Sequence, residues 1–211
     1  MEKDGYDYGV QNGFNRSHVI RYVYAFTMIV SWLLIFNLLK IFEEFPSNWN
    51  TIISTLITGI LFLVVYSSFE KWMWKIDLFF KISKHPNISG TWFCDGVSSF
   101  QEYDDVINKD IKWKATVIIL QSWSNVKIRI ETEHSVSNSI SAAIVYDDID
   151  ECKLLYNYEN HPKNMNHAGS FIHKGFGDLT VSKDNESAIF KYYNADGRES
   201  IATMSWKRLA S

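Results

Sequence analysis

Two stretches near the start of the chain, Tyr22 to Leu39 and Thr51 to Phe69, contain no charged side chain. Each is close to the roughly 20 residues that cross a hydrocarbon core about 30 Å thick, and a charge at the centre of that core would be costly. They are expected to be membrane helices. The connection between them is short and carries Lys40, Phe42, Glu43, Glu44 and Pro46, so the two form a hairpin. A secretory signal is the wrong description for the first run. Met1 to Ser17 is a polar leader with three acidic residues, the run exceeds the usual 7 to 15 apolar residues, and no small-residue cleavage site follows.

Short flanks set orientation, because Lys and Arg accumulate on the cytoplasmic side. Arg16 and Arg21 precede the first run, and Lys71, Lys75, Lys81 and Lys84 follow the second. The loop between has only Lys40 beside two glutamates, so both termini are expected in the cytoplasm. Tyr22, Tyr24, Trp49, Trp72 and Trp74 sit where aromatic rings favour headgroups. Thr51, Thr55 and Gly59 recur every four residues and share one helical face, and Thr27 and Ser31 make a similar strip on the first run. Small residues let helices approach closely. The first stripe is the candidate oligomerisation face, although it serves equally to pack one hairpin against itself.

Beyond the second run, Trp72, Ile76, Phe79 and Phe80 fall near one side of a helical pattern that spans Ser68 to Ser83. Pro86 disfavours helical geometry at His85 and ends it. The expected organisation is a leader at 1–21, the hairpin at 22–69, an interfacial extension and linker at 70–87, and one cytoplasmic domain at 88–211.

That last segment has thirteen Lys and Arg against seventeen Asp and Glu. It is a poor surface for a DNA or RNA polymer, which needs a basic face, whereas a compact anion in a pocket remains compatible. Cys94 and Cys152 are far apart and belong to no CxxC motif, so buried thiols are expected rather than a disulfide or zinc site.

Short runs rich in Ile, Val, Thr and aromatics, punctuated by Asn, Asp, Gly and Ser, predict antiparallel strands. They are Gly90 to Phe100, Ile111 to Gln121, Asn125 to Ser135, Ser139 to Asp147, Cys152 to Glu159, a very short Gly169 to His173, the hairpin pair Gly177 to Ser182 and Ala188 to Tyr193, and Ser200 to Lys207. Val126, Ile128 and Ile130 share a face, as do Leu154, Tyr156 and Tyr158, and Ala202, Met204 and Trp206. The expected fold class is therefore a membrane α-helical hairpin followed by an all-β domain, an eight-stranded antiparallel up-and-down minimal β-barrel, with a sandwich as its structural rival.

Catalytic signatures are lacking. There is no Gly-x-Ser-x-Gly elbow, His-Glu-x-x-His, phosphate loop or Gly-x-Gly-x-x-Gly, so no enzyme activity, catalytic residue or cofactor is expected. His161, His167 and His173 recur every six residues, a spacing that fits no familiar zinc motif, and Asp147, Asp148, Asp150 and Glu151 read as a solvated turn. No metal site is assigned.

The order hairpin, helical extension, strand-rich domain, with Ile88-Ser89-Gly90-Thr91-Trp92 opening that domain, resembles the two-transmembrane, β-strand-rich effectors encoded beside cyclic-oligonucleotide synthases in bacterial anti-phage systems. Within these it is most similar to the Cap15-like CBASS effectors. Leu155-Tyr156-Asn157-Tyr158-Glu159-Asn160-His161-Pro162 and Ile189 to Tyr193 followed by Arg198 are similar in style to that family's barrel. The resemblance implies a receptor and toxin in one polypeptide. The barrel would bind a cyclic dinucleotide, the protein would form a homo-oligomer, and the hairpin would disrupt the lipid bilayer and kill the infected cell.

Such a ligand offers two flat bases and two phosphates. Trp92, Tyr156, Tyr158 and Trp206 are the candidate stacking residues, with Tyr192 behind them, and Arg198 the first candidate for phosphate, ahead of Arg129 and Lys153. Each aromatic would also serve as plain barrel core. Two other readings stand beside this one, a lipocalin-like barrel holding a lipid or apolar molecule without toxicity, and a barrel that docks another protein.

Overall fold

The computed structural model describes residues 5–11, 16–39, 47–76, 85–100, 111–146, 152–164, 171–194 and 200–209, and the chain divides into two compact units. One unit, residues 14–84, contains the helices α1 (Arg16–Leu39) and α2 (Ser47–Lys71). Both are long and apolar enough to cross a membrane. Their large apolar side chains point outward: Trp32, Leu56, Ile60 and Leu63 are each more than 60% exposed, as lipid-facing residues are. Thr27 and Ser31 instead form the buried side of α1. Thr27 Oγ1 donates to the Val23 carbonyl at 2.7 Å and Thr55 Oγ1 to the Thr51 carbonyl at 2.9 Å, which satisfies these two hydroxyls without water.

Thr51, Thr55 and Gly59 are exposed, and Thr55 and Gly59 border a groove shared with Tyr24, Thr27 and Met28 of α1. The extension expected from Ser68 to Ser83 is described as far as Ile76. There α2 ends at Lys71, Trp72 leaves helical geometry at φ −130°, and one 3-10 turn, Met73–Lys75, precedes an extended Ile76. The rest of that stretch, with Phe79 and Phe80, lies outside the described residues.

The other unit combines residues 1–13 with 85–211. Its strands are β1 (Tyr6–Asp7), β2 (Gly9–Gln11), β3 (Gly90–Phe100), β4 (Ile111–Gln121), β5 (Asn125–Glu131), β6 (Ser135–Tyr146), β7 (Cys152–Pro162), β8 (His173–Val181), β9 (Ser187–Asn194) and β10 (Ser200–Arg208). From β3 to β10 each strand pairs antiparallel with the next, and β10 returns to β3 from Ser200↔Phe100 to Arg208↔Trp92. This is a closed eight-stranded up-and-down barrel. Closure removes the exposed edges that a sandwich would keep.

Several boundaries differ from expectation for local reasons. The run Gly177–Ser182 belongs to a longer strand, since β8 begins at His173, the last residue of the run Gly169–His173, and continues to Val181, while residues 169–170 lie outside the described residues. Asn125–Ser135 divides at Thr132, whose hydroxyl accepts from the His134 and Ser135 amides and so builds a turn.

The seam between β5 and β6 is the least complete in the barrel. Those strands pair only from Arg129↔Asn138 to Glu131↔Val136, after which a bulge between Ser139 and Ser141 turns β6 away. The N-terminal segment fills the gap. β1 lies antiparallel on β5 (Tyr6↔Val126, Asp7↔Asn125), and β2 lies parallel on β6 (Gly9↔Ala143 to Gln11↔Val145). Tyr6, Tyr8 and Val10 pack on the barrel core while Asp7 and Gln11 are exposed, the alternation of a strand with one wet face. Residues 6–11 of the polar leader read from sequence thus form a stave of the barrel.

Tyr8 fixes this stave to the start of the domain. Its hydroxyl is 2.5 Å from His85 Nε2 and 3.1 Å from the Trp123 carbonyl, and the Tyr8 and Trp123 rings lie 5.7 and 5.0 Å from the His85 ring. Gln121 completes the junction by accepting from the Ile88 amide at 2.9 Å and donating to the Pro86 carbonyl at 3.1 Å.

Candidate functional site

Inward-facing side chains along eight strands must fill a narrow interior, and here aromatic rings do so over glycines. A Cβ added at Gly177 would collide with the Phe190 ring, and one at Gly175 with the Tyr158 ring. At Gly96 it would fall 2.7 Å from Trp113. These small positions let large rings lie flat against the wall instead of blocking the lumen.

The interior is closed at the end near His85 and open at the other. Toward the closed end Trp92 and Trp206 are fully buried with ring centroids 6.4 Å apart, and the Trp92 indole N–H donates to the Ile88 carbonyl at 3.1 Å. Arg208 stands 5.3 Å from the Trp92 ring and also donates to the Ser89 carbonyl. Tyr156 lies between, stacked on Phe190 at 5.3 Å. Burial raises the Tyr156 hydroxyl pKa, so that hydroxyl stays neutral.

Toward the open end is a cavity to which all eight barrel strands contribute, its lining continuing onto the outer wall at Lys112, Lys114, Thr203 and Ser205. Its aromatic walls are Trp113, Tyr158, Phe190 and Tyr192. Tyr192 stands edge-on to Tyr158 and to Trp113, each at 6.4 Å, so the rings present faces in different directions. Polar groups are placed by mutual bonds. The Tyr158 hydroxyl donates to Asn194 Oδ1 at 2.5 Å, and Ser137 Oγ donates to Asn160 Oδ1 at 2.8 Å, which directs the Asn160 amide donors elsewhere.

The rim carries Lys112 and Lys114 together with Asp95 and Glu133. The β5–β6 turn beside it is held by Lys163, which donates to the Thr132 carbonyl and pairs with Glu131, each at 2.8 Å. The bond from Lys163 holds the Glu131 carboxyl below the ordinary range. A lumen with flat rings, amide and hydroxyl groups and two lysines at its mouth suits a ligand with stackable faces, polar edges and negative charge.

Of the sequence-derived candidates, Tyr158 lines this cavity, and Tyr192 lines it too. Trp92, Tyr156 and Trp206 point inward as expected but sit in the packed layers beneath it. Inward direction is a local property, whereas depth in the barrel depends on register with distant strands. Arg198 lies outside the described residues. Arg129 pairs with Glu131 on the outer surface at 3.5 Å, and neither it nor Lys153 borders the cavity.

Trp113 and its flanking lysines were missed. Their signal was the alternation Lys112-Trp113-Lys114 at the start of a strand, one ring inward between two outward cations. His161 pairs with Glu159 at 2.7 Å, and no metal-holding group of His, Cys, Asp and Glu occurs among the described residues. The acidic turn at 147–151 and His167 fall outside them.

Comparison with known proteins gives concordant results. A family model described as "Cap15, cyclic dinucleotide receptor domain" matches residues 83–208. A "CD-NTase-associated protein 15" of Yersinia aleksiciae is 31% identical over 212 residues, covering 97% of this chain and 97% of that protein. Another of the same description, from Staphylococcus schleiferi, is 28% identical over 193 residues, covering 92% of this chain and 97% of its counterpart.

Proposed function

This chain belongs to the Cap15 cyclic dinucleotide receptor family, and on that premise we propose that it binds a cyclic dinucleotide in the open end of its barrel and converts occupancy into damage to the bacterial inner membrane. The observation that carries the site assignment is the cavity walled by Trp113, Tyr158 and Tyr192 with Lys112 and Lys114 at its mouth. Bases stack on the rings, at about 1–3 kcal/mol each, and their edges meet Asn160 and Asn194. Lys112 and Lys114, on the outer wall to either side of Trp113, draw the phosphates toward the mouth at long range. With Asp95 and Glu133 nearby, the rim has too little positive charge to hold a long polyanion, which separates this ligand from DNA or RNA.

Binding acts as a switch only if the assembled form takes the nucleotide more tightly than the resting form does. The protein then accumulates as a homo-oligomer, and α1 and α2, set in the bilayer with both termini cytoplasmic, rearrange into a leaking assembly. It works as a receptor and not as a catalyst.

The test uses the full chain in detergent with cyclic dinucleotides spanning the four bases. At 100 times Kd, mass action adds about 2.7 kcal/mol, enough to raise Tm by several degrees. Larger species in sedimentation and dye release from liposomes should accompany that shift. No shift with any cyclic dinucleotide, together with a shift on adding fatty acid, would transfer the cavity to the lipid-carrier reading.

A further inference from the structure

The β5–β6 seam ties together the two ends of the barrel. At the open end its two strands and their turn border the cavity through Ile130, Thr132, Ser135 and Ser137. At the closed end the same strands hold residues 6–11 between them. That inserted segment is bound by two short strands in opposite senses, far less pairing than joins β10 to β3. It is also covalently close to the membrane unit, since four residues separate Gln11 from the start of α1 at Arg16.

Resting on the receptor reading above, we propose that the seam is the assembly site: residues 6–11 dock there in cis in the resting chain, and nucleotide binding lets the same segment dock in trans, from a second copy. A seam emptied of its stave exposes the edges of β5 and β6 and uncovers Val126 and Ile144, a state water does not tolerate. The segment best shaped to refill it is an identical one. Exchange preserves every contact, so contact energy does not oppose it, and confinement to one membrane raises the concentration of neighbouring staves. A nucleotide that draws the β5–β6 turn toward the cavity shifts the spacing of these strands at the far end and loosens the cis fit. Because one chain gives its stave to a second and receives one from a third, the contact is head-to-tail and propagates.

Gly9 and Ala143 make the test direct. They are register partners, and a Cβ at Gly9 would lie 3.7 Å from that of Ala143, the separation of a relaxed disulfide. The native thiols interfere little, since burial pushes Cys94 and Cys152 up to about 12. The full chain carrying Gly9→Cys and Ala143→Cys is oxidised in detergent and mixed with the same cyclic dinucleotide panel.

The locked protein should keep its ligand-induced Tm shift yet stay monomeric and release no dye, and reductant should restore both. Equal amounts of the Gly9→Cys and Ala143→Cys single variants should form a cross-chain disulfide at least tenfold more with nucleotide than without. Locked protein that assembles and leaks like the reduced form overturns the proposal, and so does a cross-chain disulfide that never forms or ignores the nucleotide. Wild-type protein run in parallel reports separately on the receptor reading, which fails if no member of the panel shifts its Tm.

Discussion

Truncating Tyr8 should destabilise a barrel whose own strands begin more than eighty residues later. The side chain is only 3% exposed, and its hydroxyl meets His85 Nε2 at 2.5 Å and the Trp123 carbonyl at 3.1 Å. Tyr8→Phe removes the hydroxyl alone and leaves buried polar groups to find other partners, a cost of about 1–3 kcal/mol. Tyr8→Ala also removes a buried ring, for a total of about 3–5 kcal/mol. For a domain of this size each kcal/mol lowers Tm by about 3–5 °C, so the two variants should melt roughly 3–15 °C and 9–25 °C below wild type. Near-UV circular dichroism of the full chain in detergent follows barrel unfolding. Exposed Asp7 on the same strand supplies the control, and Asp7→Ala should change stability by less than about 0.5 kcal/mol. Equal melting of Tyr8→Ala and Asp7→Ala would mean that the N-terminal segment is not docked in the seam.

Three further outcomes are expected. Trp113→Ala and Tyr192→Ala should each weaken cyclic dinucleotide binding by roughly 5- to 150-fold, the equivalent of about 1–3 kcal/mol of stacking, as read by titration calorimetry. Lys112→Gln with Lys114→Gln should weaken the same titration and flatten its dependence on salt concentration, leaving Tm without ligand within about 1–2 °C of wild type. Stability should also fall in alkali. Burial raises the thiol pKa of Cys94 and Cys152 to about 12 and also lifts the Tyr156 and Tyr158 hydroxyls, so above about pH 9 the folded state holds protons that the unfolded chain releases. That stability is complete below the unfolded thiol pKa and lost as pH rises toward 12, which urea titrations at pH 8, 9 and 10 would record as a falling midpoint.

Strands β3 and β4 were legible in the sequence to the residue, because long alternating runs bounded by turn residues signal themselves locally. The inward faces of β5, β7 and β10 were legible for the same reason. What escaped depends on long-range pairing. Tyr6, Tyr8 and Val10 alternate as a strand should, but a few residues far from any partner give no local sign that they complete a barrel. Among the aromatics, Trp92 and Tyr158 look alike in sequence, and only register places one in the packed layers and the other at the cavity. Thr27 and Ser31 show a similar limit. Their spacing marked a close-packing strip, and their burial within the helical unit, against the exposure of Thr51, appears only once both helices are in place.

A stave drawn from the first residues of the chain also sets the order of manufacture. Tyr6 leaves the ribosome about 120 residues ahead of its partner Val126, and Gly9 still further ahead of Ala143. At about 5–20 residues per second this is a wait on the order of ten seconds. On the receptor reading proposed above, the hairpin can enter the bilayer during it while nothing yet exists that could read a messenger. Docking of the stave is therefore deferred until β6 has emerged and closure of the ring until β10 meets β3, so on the receptor reading a prematurely ended chain would carry apolar helices without a ring to command them.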